Sequence, residues 1–438
     1  MSHFNALRTK HPVFHYHSYR IEQQNGQVAL RYDFSIENLC EFHPVTIIDT
    51  HNFALLNCPD SPEAQDLVFS LGLVELISYW KCACPPEIVV HCGHLSDNEI
   101  NWWKRLWYHG LGEFFYRNEI VANIQDFVHV RSSSIKTSRE NATPFHSASF
   151  SLVPIGGGKD SCVTLHLLGQ MNRKLMGFTV NDQPARFETF AAAGYHPDQM
   201  LRAHRRIDPA LLTLNAQGYL NGHTPFSAIV AFLGLYSAYL SGANELVLSN
   251  EASANEPSIL GTDVNHQYSK SYAFERDFND YIQQRFALPI RYFSLLRPFH
   301  ELQIAKQFAA LPQYHFAFKS CNIGSKRNAW CCRCAKCLFV YLVLAPFLLE
   351  GQMIAIFGKN LLKSPYLAED LQGLLGNRIE KPFECVGTIE EARAAFDALQ
   401  GSSIAAQQLL CEFCPEHNIP APFLAEVERM LSYVCTIT

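Results

Sequence analysis

The segment SFSLVPIGGGKDSCVTLHLL, residues 149–168, decides the fold of the central part of this chain. An apolar run that predicts a β-strand leads into three glycines, and a helical apolar pattern follows. Glycines let backbone N–H groups face a ligand, and the start of a helix adds positive potential. The segment therefore predicts a phosphate-binding turn, although a glycine turn that only lets strand and helix pack closely is the alternative. The residues of the turn are Gly156, Gly157, Gly158, Lys159, Asp160 and Ser161.

Two common phosphate motifs do not fit this turn. A Walker A loop has its first glycine where Val153 stands, and it has no acidic residue after the lysine, whereas Asp160 follows Lys159 here. A dinucleotide fingerprint needs a third glycine at the position of Ser161. The turn is therefore of another type.

A second motif, SCNIGSKRNAWCCRCAKCLF at residues 320–339, carries closely spaced cysteines. Four of them have the spacing C-x9-C-x2-C-x2-C, which can close a tetrahedral structural zinc site. Cys332 stands between these positions, and we expect it to point away. Reduced cysteines at a helix start, or a catalytic thiol, are the alternatives. The predicted metal ligands are Cys321, Cys331, Cys334 and Cys337.

Two polar blocks contain candidates for proton transfer. In residues 214–229, His223 precedes an apolar helix for which Thr224 and Pro225 are the expected N-cap and first residue. Residues 246–271 follow the end of a predicted strand, where open α/β sheets bind ligands. The candidates in this block are Glu251, His266 and Lys270, and Arg297 further on is a candidate partner for a phosphate or carboxylate. A capped polar loop and a solvated surface loop are the alternatives for the two blocks.

The pattern along the chain predicts three regions. Residues 1–148 read as an α+β domain that helps to bind substrate, with a hairpin at Asn25-Gly26, a helix capped by Ser61 and an aromatic core helix near residues 101–110. Strands and helices then alternate over residues 149–345, which predicts a parallel α/β sheet. Residues 346–438 are mainly helical, and residues 130–147 are the expected linker.

Composition limits the classes of partner. The net charge of −6 argues against a general nucleic-acid binder. The longest apolar run, residues 337–349, is too short to span a bilayer and predicts a buried helix. The first residues lack the apolar stretch of a secretory signal, so we expect a cytoplasmic protein with reduced cysteines. For the pair Cys411 and Cys414 we expect helix packing.

The sequence GGGKDS after a strand resembles the PP-loop of the N-type ATP pyrophosphatases, whose usual form is SGGxDS. Gly157, Gly158, Asp160 and Ser161 match, and Gly156 replaces the serine. The resemblance implies a PP-loop (adenine nucleotide alpha hydrolase-like) fold and cleavage of ATP between the α and β phosphates. It also implies that the turn holds pyrophosphate and that Asp160 binds Mg²⁺. A similar cysteine spacing occurs in 7-cyano-7-deazaguanine synthase, a PP-loop enzyme with structural zinc.

The chain resembles the family of UDP-N-acetyl-α-D-muramoyl-L-alanyl-L-glutamate epimerases in the cysteine segment and in the motifs PIGGGKDS, LNAQGYLNGHTPFSAI, SNEASANEPS, VNHQYSKSYAFERDF and SLLRPFHELQIA. The resemblance covers residues 153–347 and, more loosely, the N-terminal part, with Cys332 at a position where we expect glycine. It implies an isomerase of peptidoglycan precursor synthesis that inverts the terminal L-Glu of UDP-MurNAc-L-Ala-L-Glu, consuming ATP with Mg²⁺ and releasing AMP and pyrophosphate.

The residues that act as base and acid stay open among His223, Glu251, His266 and Lys270. Another PP-loop enzyme, which passes an acyl-adenylate to ammonia or sulfur, is the alternative function. A nucleotide- or zinc-dependent binding module is a third. The partner that we expect is the small-molecule substrate, with no nucleic acid and no membrane.

Overall fold

The computed structural model describes residues 2–133, 144–259, 261–262, 264–401 and 403–436. It is an α/β structure, as predicted, and the chain divides into two compact units. Residues 134–143 of the expected linker lie outside the described residues, and the division into three sequence regions stays a prediction. The first unit comprises Met1–Ser149, Leu201–Asn244 and Asp280–Ile290, and the second comprises Phe150–Met200, Glu245–Asn279 and Arg291–Thr438.

In the described residues the strands and helices are as follows. The strands are β1 (Val13–Gln24), β2 (Gln27–Ile36), β3 (Cys40–Phe42), β4 (Val45–Asp49), β5 (Glu87–Val90), β6 (His129–Ser132), β7 (Ser151–Pro154), β8 (Leu175–Val180), β9 (Met200–Arg206), β10 (Glu245–Leu248) and β11 (Arg291–Ser294). The α-helices are α1 (His3–Lys10), α2 (Pro62–Glu75), α3 (Ile77–Trp80), α4 (Asp97–Gly110), α5 (Gly112–Arg117), α6 (Lys159–Gln170), α7 (Pro184–Ala192), α8 (Pro209–Ala216), α9 (Phe226–Ser241), α10 (Tyr272–Tyr281), α11 (Glu301–Ala309), α12 (Ala335–Leu344), α13 (Glu350–Phe357), α14 (Ala368–Leu374), α15 (Ile389–Ala398), α16 (Ile404–Cys411) and α17 (Ala421–Cys435).

The first unit contains a mixed set of strands in the order β9-β4-β2-β1-β5-β6. The pairs along β9, β4, β2 and β1 are antiparallel, and β5 pairs in parallel with both β1 and β6. Asn25 and Gly26 join β1 to β2 with φ values of 50° and 67°, which confirms the predicted hairpin. Since β9 pairs antiparallel with β4, the chain returns to this unit after β8, a return that the strand–helix alternation does not reveal.

Aromatic side chains fill the core of the first unit. Trp103 and Trp107 of α4 are fully buried, and Trp102 stacks on Tyr281 with ring centroids 4.3 Å apart. The prediction of an aromatic core helix is therefore confirmed. The prediction for α2 is also confirmed, because the Ser61 hydroxyl accepts a hydrogen bond from a backbone N–H at the helix start.

The second unit contains four parallel strands in the order β11-β10-β7-β8. The carboxyl ends of parallel strands meet at one edge of a sheet, and α6 follows directly from that end of β7. Helix α12, from the long apolar run, is buried along nearly its whole length, as predicted. None of the helices in the described ranges combines the length and apolar character needed to cross a bilayer.

The cysteines of the C-terminal helices differ from the prediction. Cys411 at the end of α16 forms a disulfide with Cys435 at the end of α17. The expectations of fully reduced cysteines and of simple helix packing for Cys411 and Cys414 are therefore wrong. The Cys414 sulfur lies 3.5 Å from Nε2 of His300.

Candidate active site

The glycine turn joins β7 to α6, with Gly158 as the helix N-cap. Gly157 has a φ of +78°, and a Cβ there would lie 3.0 Å from the backbone of Ala185 and of Arg186. Only glycine fits this position without strain, because both the conformation and the space exclude a side chain. A Cβ on Gly156 would meet no atom within 4 Å, so the turn is open at that residue.

Hydrogen bonds fix the shape of the turn. The backbone N–H of Lys319 donates to the Gly157 carbonyl oxygen at 2.8 Å. The Ser161 hydroxyl donates to the Gly158 carbonyl oxygen at 3.0 Å. The turn is therefore held from two sides before any ligand binds.

The side chain of Lys159 is buried beneath the turn, where its amine pairs with the carboxylates of Asp160 and Glu301. Burial opposes the charge on Lys159, but the two carboxylates outweigh it and raise the pKa of the amine above its ordinary value. Burial also raises the pKa of Glu301. Lys159 thus neutralises protein carboxylates. Glu301 lies in the quoted motif SLLRPFHELQIA, but it was not a candidate from the sequence, because no spacing pattern relates it to the distant turn.

Arg297 holds two of the predicted acid–base candidates by their backbone. Its guanidinium donates to the carbonyl oxygens of Glu251 at 2.8 Å and of Lys270 at 2.6 Å. It also forms a salt bridge with Glu275 at 3.0 Å, and both of these side chains are 1% exposed. The carboxylate partner predicted for Arg297 is therefore Glu275 of the protein itself, and Arg297 is a positioning residue.

Glu251 and Lys270 belong to one electrostatic network with Asp160 of the turn. Burial raises the pKa of Glu251, Lys270 acts in the opposite direction, and Asp160 adds to the rise. For Lys270, burial opposes the charge, but Cys385 and Glu251 raise its pKa above the ordinary value. The raised pKa values favour the protonated acid form of Glu251 and the charged form of Lys270.

Cys385 is a member of this network that the sequence patterns did not reveal. Lys270 donates to its sulfur at 3.2 Å, and His266 is a second hydrogen-bond partner of the thiol. Burial works to raise the pKa of Cys385, but Lys270, Lys336 and His266 outweigh it and hold the pKa well below its ordinary value. The predicted candidate His266 thus lies beside this thiol.

His223 belongs to the first unit, whereas the other three candidates belong to the second. Its Nδ1 lies 3.4 Å from a carboxylate oxygen of Glu113. The prediction that Thr224 caps the following helix is wrong, since α9 begins after Pro225 without a side-chain cap. The Thr224 hydroxyl accepts a hydrogen bond from the Lys81 amine at 2.6 Å instead.

The four predicted cysteine ligands come together in the second unit. The sulfurs of Cys321, Cys331, Cys334 and Cys337 all lie within 4.8 Å of one another. Backbone N–H groups of Gly324 and Cys331 point at the Cys321 sulfur, at 3.1 and 3.4 Å. Such donors stabilise thiolates in metal sites, so the arrangement fits a metal ion bound by four thiolates.

Two further residues explain the local sequence of this cluster. A Cβ on Gly324 would lie 1.8 Å from the Ala329 carbonyl oxygen, so a side chain does not fit. Cys332 has a φ of 53°, a conformation that favours glycine, and this is where the resemblance leads us to expect glycine. Its sulfur contacts the Phe357 carbonyl oxygen at 3.2 Å, which confirms that Cys332 points away from the four ligands.

An open glycine turn at a helix start, with titratable side chains in the same network, is typical of α/β enzymes that bind phosphate groups. Sequence models of known families identify the chain more closely. The MurL N-terminal domain matches residues 5–295, and the MurL C-terminal domain matches residues 317–420. The chain belongs to the MurL family.

Curated relatives agree with this assignment. A protein of Xanthomonas oryzae pv. oryzae is 35% identical over 388 residues, which are 86% of this chain and 84% of the relative. A protein of a Micromonospora species is 32% identical over 445 residues, covering 94% of this chain and 96% of the relative. Both are named UDP-N-acetyl-alpha-D-muramoyl-L-alanyl-L-glutamate epimerase, and epimerases are isomerases. No solved structure matches the chain.

Proposed function

We propose that this protein inverts the terminal L-glutamate of UDP-MurNAc-L-Ala-L-Glu to D-glutamate, in the synthesis of peptidoglycan precursors. The observation that carries the proposal is the similarity, over most of the chain, to relatives named for that epimerisation. We further propose that ATP is consumed as a second substrate and that the reaction passes through an acyl-adenylate, with release of AMP and pyrophosphate.

The chemical reason for activation lies in the substrate. Removal of an α-proton next to a carboxylate creates a dianion, which concentrates negative charge. Attaching AMP to the α-carboxyl group removes one charge and makes the carbonyl a better electron sink. A base then takes the α-proton, and an acid returns a proton on the opposite face. Attack of water on the carbonyl carbon releases the epimer and AMP.

The glycine turn supports the binding of the ATP phosphates in a PP-loop arrangement. The backbone from Gly156 to Ser161 leads into the N-terminus of α6, where N–H groups and the helix dipole favour anions. The open space at Gly156 leaves room for a phosphate group. Because the amine of Lys159 is paired with two carboxylates, we assign phosphate binding to the backbone and not to that amine.

Asp160 fits a role in holding Mg²⁺. Its carboxylate is 32% exposed at the start of α6, and carboxylate oxygens are preferred ligands of this ion. The Lys159 amine is shared between Asp160 and Glu301, so without a further cation the Asp160 carboxylate would still repel phosphates. Bound Mg²⁺ would offset the negative charge of the phosphates and of Asp160.

Charge states suggest how the acid–base candidates divide the work. Glu251 has a raised pKa, so it suits the acid that gives a proton to the α-carbon. Lys270 stays charged, so it suits stabilisation of the developing negative charge and not proton removal. His266 and His223 remain candidates for proton transfer.

For the thiol cluster, the proposed ion is a structural Zn²⁺. Four sulfurs with backbone donors fit the closed tetrahedral sites that zinc forms in proteins. Zinc would hold the loop of residues 321–334 on the first turn of α12. We also propose a cytoplasmic location, because thirteen of the fifteen cysteines are free.

The test is an incubation of the protein with ATP, Mg²⁺ and UDP-MurNAc-L-Ala-L-Glu in deuterated water. We expect the product to carry deuterium at the glutamate α-carbon and to contain D-glutamate, with AMP and pyrophosphate formed and no ammonia required. Product without α-deuterium would contradict epimerisation by proton transfer. AMP formation that requires ammonia or a sulfur donor would instead indicate amide or thiolation chemistry.

A further inference from the structure

Cys385 is a free, half-buried thiol that lies beside the side chains of Lys270 and His266. It lies between α14 and α15, whereas Lys270 and His266 come from the polar block that follows β10. The Lys270 amine is 3.2 Å from the sulfur, and His266 is hydrogen-bonded to it. The fold therefore brings a thiol from a distant part of the chain to the predicted acid–base candidates.

The position of Lys270 connects this thiol with the glycine turn. Lys270 interacts with Glu251 and Asp160 as well as with Cys385, and its backbone is held by Arg297. The sulfur is thus part of the same network as the carboxylate that follows the turn. Cys385 is not among the four thiols of the metal cluster, and it forms no disulfide.

The groups around Cys385 differ in the proton that each one holds. The pKa values of Lys270 and Glu251 are both raised, which favours the protonated form of each group over the form that accepts a proton. Lys270, Lys336 and His266 favour the thiolate form of Cys385. The carboxyl group of Glu384, the preceding residue, is a further titratable neighbour. When neighbouring groups have their pKa values pushed apart in this way, the roles of acid and base follow from the difference.

We propose that the Cys385 thiolate is the base that removes the α-proton of the glutamate residue, a role that rests on the proposed epimerisation. The α C–H bond breaks, an S–H bond forms, and the electron pair moves into the activated carbonyl group. Glu251 then gives its proton to the opposite face of the α-carbon and becomes a carboxylate. Exchange of protons with water returns the thiol to thiolate and Glu251 to its acid form.

The experiment separates proton removal from ATP chemistry in Cys385→Ala and Cys385→Ser. Both are compared with wild type and with Cys58→Ala, which removes an exposed thiol of the first unit. Each protein receives ATP, Mg²⁺ and UDP-MurNAc-L-Ala-L-Glu in deuterated water. Pyrophosphate formed in the first turnover is measured in quenched reactions, and α-deuterium by mass spectrometry of the glutamate. Thermal unfolding establishes that each variant is folded.

We expect both Cys385 variants to incorporate α-deuterium at least about a hundredfold more slowly than wild type. Their first-turnover formation of pyrophosphate should stay within about threefold of wild type, because attachment of AMP to the carboxyl group releases pyrophosphate and does not need the base. Cys58→Ala should match wild type in both measurements. If the variants do not fold, Cys58→Ala treated with iodoacetamide takes their place, with peptide mass spectrometry to establish that Cys385 is the modified thiol. We expect the same loss of exchange.

Four results would overturn the assignment. Exchange at the wild-type rate in Cys385→Ala would show that another group is the base. Equal loss of first-turnover pyrophosphate formation and of exchange would place Cys385 in ATP binding. A covalent glutamyl–Cys385 adduct in wild type would make the sulfur a nucleophile. Wild type that forms no AMP and exchanges no proton would refute the proposed function, and the base with it. If wild type exchanges the α-proton but forms no AMP, only the proposed adenylation is refuted. Deuterium incorporation by the variants then still tests Cys385 as the base.

Discussion

Replacement of Arg297 by methionine tests how the acid–base candidates are held in place. The guanidinium is 1% exposed and is paired with the equally buried Glu275, so Arg297→Met leaves a buried carboxylate without its cation. Loss of one partner from a buried pair costs about 3–5 kcal/mol. For a unit of this size each kcal/mol corresponds to about 2–4 °C, so we expect the unfolding midpoint to fall by about 6 °C or more.

The double variant Arg297→Met/Glu275→Leu is the matched control. It removes both charges, and replacement of a buried pair by apolar residues is often close to neutral. We therefore expect the double variant to recover most of the stability that the single variant loses. It should not recover α-proton exchange, because the carbonyl oxygens of Glu251 and Lys270 still lack their donor.

The stability deficit of Arg297→Met should depend on pH with a definite sign. Burial already raises the pKa of Glu275, and the loss of Arg297 removes the partner that opposes this rise. The folded variant then binds a proton that the unfolded chain releases above about pH 4.5, so stability falls as pH rises. Scanning calorimetry at about pH 5 and about pH 8 should show the larger deficit at the higher pH. A loss below about 1 kcal/mol, or a double variant no more stable than the single one, would refute the reasoning.

Three further substitutions test the glycine turn and the thiol cluster. Gly157→Ala should lower the free energy of unfolding by about 1–3 kcal/mol and weaken ATP binding in calorimetric titration, because the left-handed conformation and the close backbone leave no room for a methyl group. Gly156→Ala is the control: its methyl group meets open space, and stability should not change. An effect of the same size in both variants would contradict the geometry. Asp160→Asn should slow AMP formation at least about a hundredfold with the fold intact, and wild-type AMP formation would remove Asp160 from the chemistry. Cys334→Ser should contain no zinc in elemental analysis and should unfold at a lower temperature than wild type. Cys332→Ser, the control, should keep the metal. Wild-type protein without zinc would refute the proposed zinc site.

Features with short-range causes could be predicted from the sequence. The glycine turn needs a strand, residues without Cβ and a helix start, and all three lie within residues 149–168. The four-thiol cluster follows from the spacing of its cysteines, and the left-handed turn at Asn25-Gly26 follows from two adjacent residues. In each case the residues that cause the structure are close together along the chain.

Features that depend on distant partners could not be predicted in this way. Cys385 reaches Lys270 across 115 residues, and Glu301 reaches Lys159 across 142, with no spacing pattern to mark either pair. Thr224 is a good N-cap by residue type, but the Lys81 amine takes its hydroxyl. A long-range hydrogen bond thus prevails over a local preference, and the candidate site is known only in part from its motifs.

The paired strands show the same limit at the scale of the fold. Alternating strands and helices after residue 149 favour one parallel sheet. However, β9 belongs to the first unit, where it pairs antiparallel with β4. The period of the apolar residues specifies that a strand forms, but not which neighbour it pairs with. The disulfide between Cys411 and Cys435 likewise joins two helix ends that no motif connects.

The most direct test of the account follows oxygen from the substrate into AMP. UDP-MurNAc-L-Ala-L-Glu labelled with ¹⁸O in the α-carboxyl group of the glutamate is incubated with the enzyme, ATP and Mg²⁺, and the AMP is examined by mass spectrometry. If the carboxyl group is adenylated and water attacks its carbonyl carbon, AMP must carry one ¹⁸O atom from the substrate. AMP without the label, formed while the glutamate is inverted, would contradict activation of the carbon acid through an acyl-adenylate.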